Sequence, residues 1–333
     1  MEGDPFPMPA VTPLATPQDC PYPDCDRTRP FTWRRRGSYR RKCDERSVPR
    51  LQCLRCMRRF STQTDRVDRG LRRPDLVIPL FKLFVSKVTM RQLASLFRVN
   101  LKTIAHRKKL LGRQCLEAHA HVMTTTSVRL GADAPFVFDE LETFETSKIR
   151  QPLTMPVVMH GRTWFVIHAE IGTLPARRRQ KDDPPREHQS NQVVWNCLAK
   201  TRAITDEKCT PHFVSDRKFS YPKLLRKAFQ TYAHLRISSR QARTIHNPMF
   251  PINNLFGQMR DNVSCLVRPN WAHAKKREML GQHVWIYVAY RNYVREITRD
   301  CRTHSSASAL GIMPRPLEPE ELLTIRGRIC LAA

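Results

Sequence analysis

Two acids stand out in this sequence because each closes a short apolar run. Phe136-Val137-Phe138 leads into Asp139, with Glu140 and Glu142 close behind, and Pro211-His212-Phe213-Val214-Ser215 leads into Asp216. Strand-forming residues ahead of a carboxylate predict a buried strand that delivers the acid to the rim of a sheet. A carboxylate is costly in a core unless it is paired or holds a cation. The chemistry that suits such a pair is binding of divalent metal at a phosphate. Four cysteines make the second constellation: Cys20 and Cys25, then Cys53 and Cys56. Two such pairs can converge on one tetrahedral zinc, each forming a knuckle. Cys43 lies between them, and an unligated thiol is the simpler reading of it.

The chain has 333 residues, with 58 Lys and Arg against 30 Asp and Glu, a formal charge of +28. That excess is a statement about partners, and nucleic acid is the polyanion it suits, since the basic residues recur along the chain. No run of 18 or more apolar residues occurs, so no membrane span is expected. Met1 to Gln18 is proline-rich and lacks a secretory pattern. The 11 cysteines therefore point to a reducing compartment and metal ligation rather than disulfides. There is no phosphate-binding glycine loop, zinc-protease spacing or nucleophile elbow.

The elements that must position these groups follow in order. Residues 1–18 read as a disordered leader. Residues 19–62 look like a zinc ribbon, with short arginine-rich strands between Thr32 and Leu51. Residues 74–122 turn helical. Asp75 is expected to cap a helix over Leu76 to Ser86, and Thr89 one over Met90 to Phe97. After the break Arg98-Val99-Asn100 a further helix opens at Leu101. The pattern resembles a helix-turn-helix, with Ala94 at the crossing and Val99 and Ile104 inward; Arg98 stands where that motif often has glycine. Lys102, Thr103, His106 and Arg107 are expected to face the major groove of double-stranded DNA. Met123 to Ala132 is a polar connector.

In residues 133–298 the expected order is three strands, helix, strand, helix, strand, helices. The first strand is Phe136 to Leu141. Thr154 to Met159 and Thr163 to His168 flank a hairpin turn at His160-Gly161-Arg162. An exposed loop over Pro175 to Gln189 precedes a helix over Asn191 to Ile204. This order, with acids closing the first and fourth strands, matches an α/β ribonuclease-H-like fold, in which those strand ends are neighbours. Residues 299–333 form a tail in which no chemistry is read.

With these residues in place, the chain resembles a bacterial insertion-sequence transposase related to the insertion-sequence-one family. The carriers are the two cysteine knuckles, Asp139 to Phe144, Val214-Ser215-Asp216 and the region Pro251 to Lys276. The resemblance implies a DDE-type integrase core that binds terminal inverted repeats, hydrolyses a phosphodiester and transfers the strand, in a homo-oligomer on the DNA. It implies a structural Zn2+ and catalytic Mg2+ or Mn2+, held by Asp139 and Asp216 with Glu140 or Glu142 in reserve. It also implies a cytoplasmic, nucleoid-associated protein. At the third metal position the sequence departs from the usual Glu: Asn253 or Asn254 offers a carbonyl oxygen without charge, and Asn253 fits the Asn-using branch slightly better. Arg260, Arg268, Lys275 and Lys276 are the candidate DNA contacts of the core. The competing expectation is a catalytically inactive, transposase-derived DNA-binding regulator. An RNA-binding zinc-ribbon protein explains the charge but leaves Asp139 and Asp216 without a role.

Overall fold

Arginine-rich β-formers build the first sheet. β1 (Trp33–Arg40), β2 (Ser47–Cys53) and β3 (Arg59–Ser61) pair antiparallel in that order. β1 is exposed nearly throughout and presents Arg34, Arg35 and Arg36, whereas β2 buries Val48, Leu51 and Cys53. The computed structural model describes residues 19–325 apart from 23, 27, 65, 132, 179–184, 268–271 and 298–302. The expected leader, Arg268 and parts of the 175–189 loop and of the tail lie outside the described residues. Arg41 ties the ribbon to the segment after it, donating to Asp44 at 3.0 Å, Gln63 at 2.7 Å and Asp68 at 3.2 Å.

Three helices follow. α1 (Val77–Phe84) comes after a single 3-10 turn and is shorter than expected; Asp75 does not cap it but pairs with Arg73 at 2.7 Å. α2 (Met90–Leu96) opens at Thr89, as expected. The Thr89 hydroxyl accepts the Gln92 backbone N–H at 3.3 Å, and the Gln92 side-chain Oε1 accepts the Thr89 N–H at 2.8 Å. α2 closes on Arg98 in the left-handed region, φ 50°, with Val99 N–H donating to Ala94 O at 3.0 Å and Arg98 N–H to Ser95 O at 3.2 Å. Those two bonds satisfy carbonyls that a helix end otherwise strands. α3 (Leu101–Thr125) starts at once, capped by Asn100, whose Oδ1 accepts the Lys102 N–H at 2.8 Å. It is one unbroken helix of 25 residues.

The second sheet comprises β4 (Phe136–Phe144), β5 (Pro152–His160), β6 (Val166–Ala169), β7 (Gly172–Thr173), and, after α4 (Ser190–Arg202), β8 (His212–Asp216). α5 (Tyr221–Ala228) leads to β9 (Ala233–Ile237), then α6 (Phe250–Asn262) and α7 (Arg277–Ala289). The strand order is β6-β5-β4-β8-β9, with β7 also on β5; β4–β8 and β8–β9 are parallel and the other pairs antiparallel. This mixed sheet, flanked by helices, fits the expected ribonuclease-H-like α/β core. One difference matters for the site. β5 pairs with β4 from Phe136↔His160 to Phe144↔Pro152, so β4 runs on past Asp139 and carries it mid-strand rather than at its end.

One apolar core runs from Leu76 of the helical segment through the sheet to Leu323. α3 packs along α7, and Gly112 permits their approach: a Cβ there would lie 2.6 Å from the Gln282 Cα. The outer strand β6 is covered by side chains instead of another strand. Asn292 accepts the Val166 N–H at 2.9 Å and donates to Val166 O at 2.8 Å, and His119 Nε2 bonds Ile167 O at 2.9 Å. His119 Nδ1 meets the Tyr293 hydroxyl at 2.8 Å, so this buried histidine is spent on structure. No helix among the described residues is long and apolar enough to cross a membrane.

The junction of α2 and α3 gives a paired prediction. Asn100→Ala removes the α3 cap and should lower unfolding stability by about 1 kcal/mol. Arg98→Gly, at a backbone conformation glycine favours, should raise it by about 0.5 to 1 kcal/mol. Urea unfolding midpoints of the two variants should move in opposite directions.

Candidate functional site

The parallel register of β4 and β8 brings the two acids together. Phe136 pairs with Phe213 and Val137 with Val214. Extending the same offset sets Asp139 opposite Asp216 on the neighbouring strand, near enough for the Asp216 charge to act on it. The hydrogen-bonded register ends at Val137 and Val214, and strand alternation puts the two carboxylates on one face. Asp139 accepts the Glu140 N–H at 2.8 Å, and Asp216 accepts the Lys218 N–H at 3.0 Å. Burial pushes the Asp139 carboxyl up to about 7; the Glu140 N–H opposes this and the Asp216 charge adds to it. A carboxyl so placed gains from a nearby cation.

Glu140 points to the other face, because side chains alternate along a strand. There it is fully engaged. Thr154 and Ser190 hydroxyls donate to Oε2 at 2.6 and 2.8 Å, the Tyr221 hydroxyl donates to Oε1 at 3.0 Å, and Lys218 donates to Oε1 as well. Lys218 also reaches Ser190 at 2.8 Å. So Glu140 is no reserve metal ligand; it anchors Lys218, α4 and α5 beneath the aspartates. Glu142 is exposed and pairs with Arg177 at 2.9 Å. Sequence reasoning missed Lys218, Ser190, Thr154 and Tyr221, and only Lys218, two residues after Asp216, stood where proximity could have flagged it.

α6 packs against β4 and carries the two asparagines as its fourth and fifth residues. Asn254 Oδ1 accepts from Gln258 Nε2 at 2.6 Å, and Gln258 in turn accepts from Arg295 at 2.7 Å. Asn253 is half-buried and has no such side-chain bond recorded among the described residues. Asp261, at the far end of α6, pairs with Lys87 at 3.1 Å. Arg260 is half-buried on α6, while Lys275 and Lys276 are exposed at the start of α7. Ala274 bridges to Glu145, six residues beyond Asp139 along the chain, so Lys275 and Lys276 lie just past the end of β4. Phe219, 96% exposed, follows Arg217 and Lys218 just past Asp216. A concavity of about 1020 Å³, lined by Arg129, Arg202 and Lys208, lies where β8 begins, at the other end of the strand from Asp216.

On α3, Lys102 and His106 are exposed and Thr103 is half-buried. Arg107 differs from expectation. It is buried, at 6% exposure, as is Lys108. The reason is helical period: 104, 107, 108 and 111 share one face, and Ile104 and Leu111 on that face are core. Burial lowers the Arg107 pKa and the Lys108 pKa alike, and the Lys108 ammonium lies 5.9 Å over the Phe84 ring.

In the ribbon, the ligand atoms of Cys20, Cys25, Cys53 and Cys56 lie within 4.8 Å of one another. Cys20 Sγ is 3.7 Å from Cys56 Sγ, and Cys25 Sγ is 3.8 Å from Cys53 Sγ. The Arg55 N–H donates to Cys53 Sγ at 3.3 Å, the bond a knuckle gives a thiolate. Four convergent sulfurs with amide donors can hold one zinc. Cys43 is not among them; its sulfur accepts from Arg41 Nε at 3.1 Å.

Comparison with protein-family models and with curated proteins finds no match. Among solved structures, the chain is similar to the catalytic domain of Mos1 mariner transposase, at 12% identity and a TM-score of 0.26, over 55% of this chain and 90% of that one. A likeness so loose leaves the reading of the site to its own geometry.

For the cysteine cluster, Cys53→Ser should cost one equivalent of bound zinc and expose residues 19–62 to protease, while the second sheet keeps its cooperative unfolding. Elemental analysis and limited proteolysis check this; a zinc content unchanged by the substitution would remove the cluster as a metal site.

Proposed function

We propose that this chain is a DNA transposase, a polynucleotidyl transferase that cuts and joins phosphodiesters at Asp139 and Asp216. The observation that carries the reading is the in-register placement of these two half-buried acids on one face of neighbouring parallel strands. The donor set fits Mg2+ or Mn2+: carboxylate oxygens from the sheet and, from α6, the carboxamide oxygen of Asn253, all hard ligands. Divalent ions bound there would supply Lewis acidity toward an attacking water or 3′-hydroxyl and toward the departing oxygen. The chain's own residues hold the frame. Glu140 and Lys218 brace the strand ends from below, and Asn254 is tied into the Gln258–Arg295 chain.

In this reading the exposed arginines of β1, with Lys275 and Lys276, grip phosphates along a duplex, which positions it without reading sequence. Lys102 and His106, on the open face of α3, enter the major groove at the terminal repeats, with Thr103 beside them. Arg107 has no place in that contact. Domain limits at 19–62, 74–122 and 133–298, a homo-oligomer on DNA and a nucleoid-associated cytoplasmic location belong to the same proposal.

A second reading has one observation in its favour: the third position supplies an uncharged Asn where related enzymes commonly use Glu. A protein with two acids and no third charge can bind DNA and never cut it.

Strand cleavage on a labelled duplex carrying the sequences that flank the coding region, with Mg2+ or Mn2+, separates the two. Asp139→Asn and Asp216→Asn should each reduce nicking by at least about a hundredfold with DNA affinity retained. Asn253→Ala should reduce it and Asn253→Asp restore it. Binding without metal-dependent cleavage in the parent protein would leave the regulator as the surviving reading.

The two outward residues of α3 give a further test. His106→Ala should cost about 1 to 3 kcal/mol on the preferred sequence and little elsewhere. Lys102→Ala should weaken binding to all duplexes and flatten the salt dependence by about one unit. Equal effects of both on every sequence would place the base-reading surface elsewhere.

A further inference from the structure

A third set of metal-type ligands sits on the sheet face opposite the two aspartates. His168 on β6 and Glu170 just after it are two apart in extended chain, so both project to one face. The register with β5 identifies that face: His168 pairs with Val158, and Glu170 N–H donates to Pro156 O at 3.3 Å. Pro156 stands opposite Glu140, whose side chain turns away from the metal-type acids. α4 covers this face and lowers Cys197 onto it, with Sγ 3.8 Å from Pro156 O. One ligand atom each from His168, Glu170 and Cys197 then lies within 4.8 Å of the others.

We propose that His168, Glu170 and Cys197 form a second transition-metal site, distinct from the cysteine cluster and from the aspartates, taking zinc or an ion of its class. The ligand chemistry selects the ion. One imidazole nitrogen, one carboxylate oxygen and one sulfur suit a borderline cation, and the sulfur rules against Mg2+ or Ca2+. Tetrahedral zinc wants such atoms about 3.3 to 3.6 Å apart, within reach of a small side-chain rotation from the spacing seen. The surroundings are those of a built site. Asn196 Nδ2 donates to one Glu170 oxygen at 3.0 Å, fixing the carboxylate and leaving its other oxygen for a metal. The His168 ring packs against Trp285 at 5.3 Å, which sets its plane. Cys197 is a free, buried thiol with no disulfide partner.

Three protein ligands leave a fourth position for water. The location argues for a structural role: the ion would pin α4 to the outer strand of the sheet, on the side away from Asp139 and Asp216. α4 also carries Ser190, which bonds Glu140, so the pin steadies the floor beneath the aspartates. The site rests on its own residues and stands or falls independently of the transposase reading.

Zinc per chain, measured by elemental analysis on the full-length protein after dialysis, tests it. Asp139→Asn is the working background, so that zinc held at the acid pair is not counted. The background protein should carry two equivalents, and Cys197→Ser or His168→Gln in it should carry one. Cys53→Ser should also carry one, and Cys53→Ser with His168→Gln none. In the cobalt-loaded protein, Cys197→Ser should remove part of the sulfur-to-metal absorption that Cys53→Ser leaves. His168→Gln keeps the buried thiol and serves if Cys197→Ser fails to fold. One equivalent in the background protein, or two retained in His168→Gln, overturns the proposal.

Discussion

Two carboxylates side by side on neighbouring parallel strands repel each other, and burial strengthens the repulsion. Much of this structure serves to hold them there. Parallel pairing of β4 with β8 requires the chain to leave the sheet and return, and the route through β5, β6, β7 and α4 is that return. The floor under the pair is polar and closed: Glu140 is bonded by Thr154, Ser190, Tyr221 and Lys218, each from a different element or connection. Breaking that floor would free the ends of β4 and β8 to move apart, and the acids with them. The strain of like charges is thus contained by hydrogen bonds on the opposite face of the same strand.

Charge elsewhere is arranged with similar economy. In the ribbon, Asp24 and Asp44 pair with arginines, and Asp68 of the following segment pairs with Arg41, which ties the small sheet to that segment. Arg34 and Arg36 share the Gln52 side chain instead, and so keep their positive charge on the exposed strand. A small domain with little apolar interior gains its order from such pairs and from the sulfur cluster.

The acid-bearing strands, the cysteine knuckles and the Thr89 cap were legible in sequence because each is a local signal: an apolar run ending in charge, a pair of closely spaced cysteines, a threonine just ahead of a helical run. What escaped depends on distant packing. Arg107 looked like part of a charged face, but α3 is clasped by α7 across a long stretch of chain, and that contact decides which stripe turns inward. Glu140 looked like a spare acid beside Asp139, yet strand parity assigns it to the other face, where its partners come from positions 154, 190, 218 and 221. Asp75 carried the type of a capping residue, but Arg73 claimed its carboxylate first. The sequence leaves Asn253 and Asn254 as alternatives, and only the fold shows that the Asn254 amide is bonded to Gln258.

The unbroken length of α3 has a mechanical consequence. From Lys102 at its open end to His119, which is bonded to the outer strand of the sheet, the helix spans about 25 Å with no hinge. Under the proposed function, a rigid strut joins the end that reads bases to the sheet that carries the acids. Such a molecule acts as a gauge. It fixes where along a duplex the cut falls relative to the sequence read, and one added base pair shifts the scissile phosphate by about 3.4 Å and roughly a tenth of a turn out of phase. Precision of cutting would then reside in the stiffness of a helix, more than in any contact at the break.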